Sequence, residues 1–180
     1  EDLHIGLDFN IGNMNGVTFV KRGETYHAVE TLIESHRDGK KIYDTQEMIE
    51  EIRARYGSTG RRIYVYPDSN SAGQRRDGHP QTFAQRLHAA GFIVRRRTKN
   101  PYVVDRVSTV NKALEDSKVF ISQRGCKPLV ESMTKQAYNK KGEPDKESGY
   151  DDPNDAFGYF VSFIFPLRRP VHTVNAVYAP

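Results

Sequence analysis

Apolar and polar residues alternate over three stretches at the start of the chain, residues 3–9, 16–22 and 25–33. Turn-forming segments separate them at Gly12-Asn13-Met14-Asn15-Gly16 and Arg22-Gly23-Glu24. This period-two pattern predicts an antiparallel meander of three strands. The period then changes. Asp44-Thr45-Gln46-Glu47 has the spacing of a capping box, and Met48, Ile49, Ile52 and Tyr56 mark one face of a helix that stops near Gly57. Arg61 to Tyr66 restores a strand. A helix opening at Pro80, with Phe83, Leu87 and Ala90 on one face and Gly91 as its stop, leads into a strand at Phe92-Ile93-Val94, which makes an α/β crossover.

Asn100-Pro101 is a cap and first-turn pair for a helix whose Val103, Val107, Val110 and Leu114 form an apolar stripe, followed by a short strand at Val119-Phe120-Ile121. Pro128 opens a further helix reaching Tyr138. Asn139 to Gly149 has turn and charge composition without apolar periodicity and reads as a surface loop. Asp152-Pro153 then looks like an N-cap with a first-turn proline. The helix it opens runs to about Phe165 with aromatic residues nearly all round, so burial is expected. Pro166 ends it. The predicted architecture is α/β: a mixed sheet of three antiparallel hairpin strands plus parallel strands, flanked by helices, over residues 1–166, with residues 167–180 as a C-terminal tail.

With 180 residues, 37% of them hydrophobic, the chain has room for one domain with a good core. Its mean hydropathy is −0.71. Lys and Arg number 27 against 23 Asp and Glu. That excess is small, but the bases are clustered, so the local field is more positive than the net charge and nucleic acid is the natural partner. The single Cys126 excludes an internal disulfide and a thiolate metal cluster, and points to a reducing compartment. No apolar stretch approaches the ~18 residues of a membrane helix, and no signal pattern opens the chain. A strand beginning at residue 3 with no leader is the pattern of a domain cut from a longer chain. No G-x-x-x-x-G-K-[ST] occurs, so any ATP-driven function would need another segment.

Three aspartates stand where a chain usually avoids bare charge: Asp8 at the end of an apolar run, Asp68 after Ile63-Tyr64-Val65-Tyr66-Pro67, and Asp155 just before Phe157-Gly158-Tyr159-Phe160-Val161. Singly, each is better explained as a turn residue or as a carboxylate favouring a helix dipole. The strand order changes that judgement, because Asp8 and Asp68 fall at the carboxyl ends of two strands that could be neighbours. An all-carboxylate set, with no histidine or cysteine cluster, favours magnesium or manganese over zinc. Asp151 and Asp152 divide between one further metal-side carboxylate and one helix cap, in either order. Asp105, beside Arg106, fits a structural place in a helix's first turn. Candidate phosphate contacts are Arg75 and Arg76 and the run Arg95, Arg96, Arg97 with Lys99; Lys140-Lys141 reads as ordinary solvated surface. The six histidines are scattered without ligand spacing, and of these only His79, after Asp68, is of interest.

With these residues placed, the chain resembles the nuclease domain of the large terminase subunit of tailed bacteriophages, in the RNase H-like superfamily. The carriers are Ile5-Gly6-Leu7-Asp8-Phe9-Asn10, Val65-Tyr66-Pro67-Asp68-Ser69, Asn100 to Val107, and Tyr150-Asp151-Asp152-Pro153-Asn154-Asp155-Ala156-Phe157-Gly158-Tyr159. The last resembles the family's D-H-x-x-D-A-x-x-Y ending, with Asp152 where many relatives carry His. The resemblance implies an endonuclease that cuts concatemeric viral double-stranded DNA with two divalent ions, Mg2+ or Mn2+. In it Asp8 bridges both ions, Asp68 binds one and Asp155 the other. It also implies an N-terminal ATPase motor, a small terminase subunit and portal as partners, and the host cytoplasm as location. Competing readings are a resolvase or transposase relative, an actin-like phosphotransferase suggested by Asp8-Phe9-Asn10-Ile11-Gly12, and a non-catalytic DNA-binding module of the same fold.

Overall fold

The structure is a computed structural model that describes residues 1–10, 13–75, 79–140, 143–145 and 149–167. Six strands form one sheet: β1 (Leu3–Asn10), β2 (Asn13–Arg22), β3 (Thr25–Leu32), β4 (Ile63–Pro67), β5 (Ile93–Val94) and β6 (Val119–Ile121). Their spatial order is β5-β4-β1-β2-β3-β6. The meander β1-β2-β3 is antiparallel, as its turn-punctuated alternation predicts. The strands added at its two sides run parallel to their neighbours, β4 to β1, β5 to β4, and β6 to β3.

Six helices flank the sheet: α1 (Thr45–Tyr56), α2 (Ser69–Ala72), α3 (Phe83–Ala89), α4 (Val103–Glu115), α5 (Lys127–Lys135) and α6 (Asp152–Ile164). Strand alternation sorts the core into two layers. Leu3, Ile5, Leu7 and Phe9 of β1 pack with Met48, Ile49, Ile52, Phe83 and Leu87 of α1 and α3. On the opposite face Val17, Phe19, Ala28 and Tyr66 pack with Leu129 of α5 and with Ala156, Phe157, Phe160 and Val161 of α6. The all-round aromatic content of α6 is thereby explained: it is the central helix of that layer. It lies close on β1 because Gly6 faces it, and a Cβ there would run into the Ala156 carbonyl oxygen.

Four expectations are corrected. Pro80 precedes α3 rather than opening it; the helix starts after Thr82, whose side chain accepts from Gln85 N while Gln85 caps back, a reciprocal capping box. Asn100 does not cap α4, which begins after Tyr102 without a side-chain cap. Helix α5 stops at Lys135, and Tyr138 pairs with Pro144 in an isolated bridge. The N-cap position of α6 is Asp151, not Asp152, so Asp152 opens the first turn. Arg76, Lys141, Lys146, Ile11-Gly12 and residues 168–180 of the expected tail lie outside the described residues.

Candidate active site

Because β1 and β4 are parallel with Leu7 opposite Pro67, the two chains leave the sheet edge side by side. Asp68 N donates to the Leu7 carbonyl at 2.9 Å, which sets Asp68 beside Asp8. Asp8 is an even-numbered residue of β1 and so shares the Gly6 face, the face covered by α6. The first turns of α6 bring Asp152 and Asp155 to the same end, with Asp151 immediately before them. One end of the sheet therefore carries acids from three separate chain segments.

Asp8 is 4% exposed. Burial first, and then the charges of Asp155, Asp152 and Asp68, push its carboxyl well above the usual carboxylate range, while Arg106 opposes the shift. Among the described residues no side chain or backbone group donates a hydrogen bond to it. The other acids are held. Asp68 accepts from Asn70 N at 2.9 Å, from Ser71 Oγ at 2.6 Å and from Asn100 Nδ2 at 2.5 Å. Asn100 in turn accepts from Ser69 N at 2.8 Å, so it ties the start of α4 to the turn that carries Asp68. Asp155 receives Arg106 Nη2 at 2.5 Å. Asp152 accepts from Asn10 Nδ2 and, at 3.0 Å, from Asn13 Nδ2, both at the β1-β2 hairpin end. Burial and the neighbouring Asp151 raise its carboxyl above the usual range against those two donors.

With Asp155 turned onto Arg106 and Asp68 onto its own turn, no three acidic, histidine or cysteine side chains among the described residues are gathered closely enough to hold an ion. The donor set nonetheless fits a hard divalent cation. Asp8 is buried without a donor and pressed by three other carboxylates, so positive charge is what this locus lacks, and oxygen donors suit magnesium or manganese.

The basic candidates separate. Arg75, Arg95, Arg96 and Lys99 are exposed. Arg96 reaches the Ser69 carbonyl at 3.5 Å and lies against Gly73, beside the Asp68 turn. Arg95 turns the other way, its guanidinium 5.8 Å from the Tyr64 ring centroid. Arg97 is half-buried, donating to the Ser162 carbonyl at 2.8 Å and lying over Phe163 at 5.7 Å, so its charge is spent fastening α6. His79 sits in a turn, accepting from Gln81 N. Asp105 lies in the first turn of α4, as expected. Sequence reasoning missed Asn100, Asn10, Asn13 and above all Arg106.

Residues 5–162 match the terminase RNaseH-like domain family. The chain belongs to that family. Solved structures agree with the six-stranded arrangement of this terminase domain. A full-length large terminase from a thermophilic bacteriophage superposes with a TM-score of 0.68 at 19% identity, covering 91% of this chain and 39% of that one. The large terminase nuclease of thermophilic phage G20c, with bound cobalt, gives 0.58 at 15% identity over 89% and 80% of the two chains. The large terminase nuclease domain of Thermus phage P74-26 gives 0.55 at 14% over 88% and 77%. The terminase domain spans about two fifths of the length of the first of these proteins. No curated protein sequence matches it.

Proposed function

We propose that this chain is the metal-dependent endonuclease domain of a viral DNA-packaging terminase, residues 1–166, cutting concatemeric double-stranded DNA by two-ion phosphodiester hydrolysis. The observation that carries the reading is the convergence of Asp8, Asp68 and Asp155 from β1, the end of β4 and α6, around a buried carboxylate that no donor among the described residues satisfies. The family supports it, and so do the G20c nuclease structures with bound cobalt and magnesium.

Bound Mg2+ or Mn2+ would supply an activated water and stabilise the leaving oxygen. Asp8, Asp68 and Asp155 are the holding residues, with Asp151 or Asp152 as the further carboxylate. Asn100 and Ser71 fix the Asp68 carboxylate, so that it needs little reorganisation when an ion arrives. Asn10 and Asn13 hold Asp152 against the hairpin. Arg96 and Arg75 stand on the exposed side of the Asp68 turn, where guanidinium groups can take the phosphate backbone without reading sequence. Arg95, Lys99 and Arg76 stay with them as DNA-contact candidates.

The longer large terminase of the thermophilic bacteriophage has been captured with ATP-gamma-S and with ADP. An ATPase motor N-terminal to this domain, a small terminase subunit and a portal in the host cytoplasm are the partners we propose. Among the described residues no helix is long and apolar enough to cross a membrane. The test is nicking of supercoiled plasmid with Mg2+ or Mn2+, with and without EDTA, by wild type and Asp8→Asn. Metal-dependent nicking lost in the folded variant supports the reading. DNA binding without nicking would assign a non-catalytic module.

A further inference from the structure

The sequence of α4 places an arginine on its buried side. Arg106 is 5% exposed, while the valines that form the apolar stripe beside it are only half-buried. Its setting is built for it. A Cβ at Gly158 of α6 would lie 3.0 Å from Arg106 Cγ and Cδ, so the glycine opens the slot through which the side chain passes. Beside that slot, the Tyr159 ring takes the guanidinium at 4.6 Å from its centroid. The fork ends on Asp155 Oδ1 at 2.5 Å, a buried charge-assisted hydrogen bond. Burial works against the Arg106 charge, and Asp155 and Tyr159 outweigh it.

We propose that Arg106 is a positioning residue that stands in for metal in the ion-free chain, holding the Asp155 carboxylate and yielding part of it when a divalent ion binds. The inference rests on the metal-site reading given above. A fixed cation facing an acidic site does two things. It keeps mutually repelling carboxylates folded together before any ion is present, and it competes with the arriving ion for one of them. The site is therefore assembled without metal but binds metal less tightly than its acid count alone would give. Asp155 alone, of the three proposed ligands, is held by a formal cation; Asp68 is held by neutral donors and Asp8 by none among the described residues.

Two measurements test it. Isothermal titration with MgCl2 compares wild type, Arg106→Gln and Arg106→Lys. The proposal predicts that Arg106→Gln has a lower melting temperature without metal yet binds Mg2+ about tenfold or more tightly, as loss of a charge-assisted competitor implies. Arg106→Lys should stay near wild type. A purely structural arginine would give weaker or unchanged binding in a folded Arg106→Gln protein, and that result overturns the proposal. The second measurement needs no variant: the Arg106 guanidinium resonances of the wild-type chain are followed during Mg2+ titration. A shift that saturates with metal binding supports the exchange of partners, and it decides the matter if Arg106→Gln does not fold. Saturable Mg2+ binding with unmoved Arg106 resonances overturns this proposal alone, whereas no Mg2+ binding by wild type overturns the metal-site reading with it.

Discussion

Replacing Asp8 by asparagine should make the ion-free chain more stable at neutral pH while removing its response to metal. The side chain is 4% exposed, has no donor among the described residues, and is pushed well above the usual carboxylate range by burial and by Asp155, Asp152 and Asp68. An unpaired buried charge of this kind costs on the order of 2 kcal/mol, and asparagine keeps the shape while its amide can donate to a neighbouring acid. For a chain of this size that is a rise in Tm of about 4–8 °C. The pH dependence has a fixed sign. The folded-state carboxyl titrates above the ordinary value of 3.8, so the folded state holds its proton longer, and wild-type stability falls as pH rises through that value. The two proteins should therefore melt alike near pH ~3 and diverge as pH rises. Magnesium should raise the wild-type Tm by mass action and leave Asp8→Asn unmoved. Scanning fluorimetry across pH, with and without MgCl2, reads all of this. A less stable Asp8→Asn protein at neutral pH, or one that magnesium stabilises as much as wild type, would refute the reasoning.

Other substitutions separate the parts of the site. Gly6→Ala drives a Cβ into the backbone carbonyl of Ala156, which cannot turn aside, so thermal unfolding should show a loss of about 3 kcal/mol, near 6–12 °C in Tm. Asn100→Ala frees the Asp68 carboxylate and orphans Ser69 N; cleavage should fall at least tenfold with the fold retained, read by plasmid nicking against circular dichroism. Arg96→Ala should reduce the slope of log affinity against log salt for duplex DNA by ~0.9, with Arg97→Ala changing stability instead, since Arg97 is bound to α6.

The strands and the two aspartates that leave β1 and β4 were legible because alternation and turn punctuation are local signals, and parallel pairing of those strands aligns their ends. What was hidden depends on contacts across the fold. Asn100 before Pro101 has an ordinary local meaning as a cap, and only the approach of α4 to the Asp68 turn gives it another. Arg106 follows Asp105 in a helix whose valines claim the apolar stripe, so it reads as solvent-facing; Gly158 and Asp155, far along the chain, are what bury it. Asn10 and Asn13 look like turn residues until α6 arrives above them. The start of α3 was different: Thr82 and Gln85 carry a capping-box spacing in plain sequence, and the proline shortly before them drew the boundary too far forward.

Anomalous diffraction from a crystal of this chain grown or soaked in MnCl2 would show the metal centre itself. Two manganese peaks are expected at the end of the β1-β4 pair, with Asp8 between them, Asp68 on one and Asp155, drawn from Arg106, on the other. A crystal that carries manganese elsewhere, with these three carboxylates bare and the Arg106–Asp155 pair intact, would contradict the two-ion site.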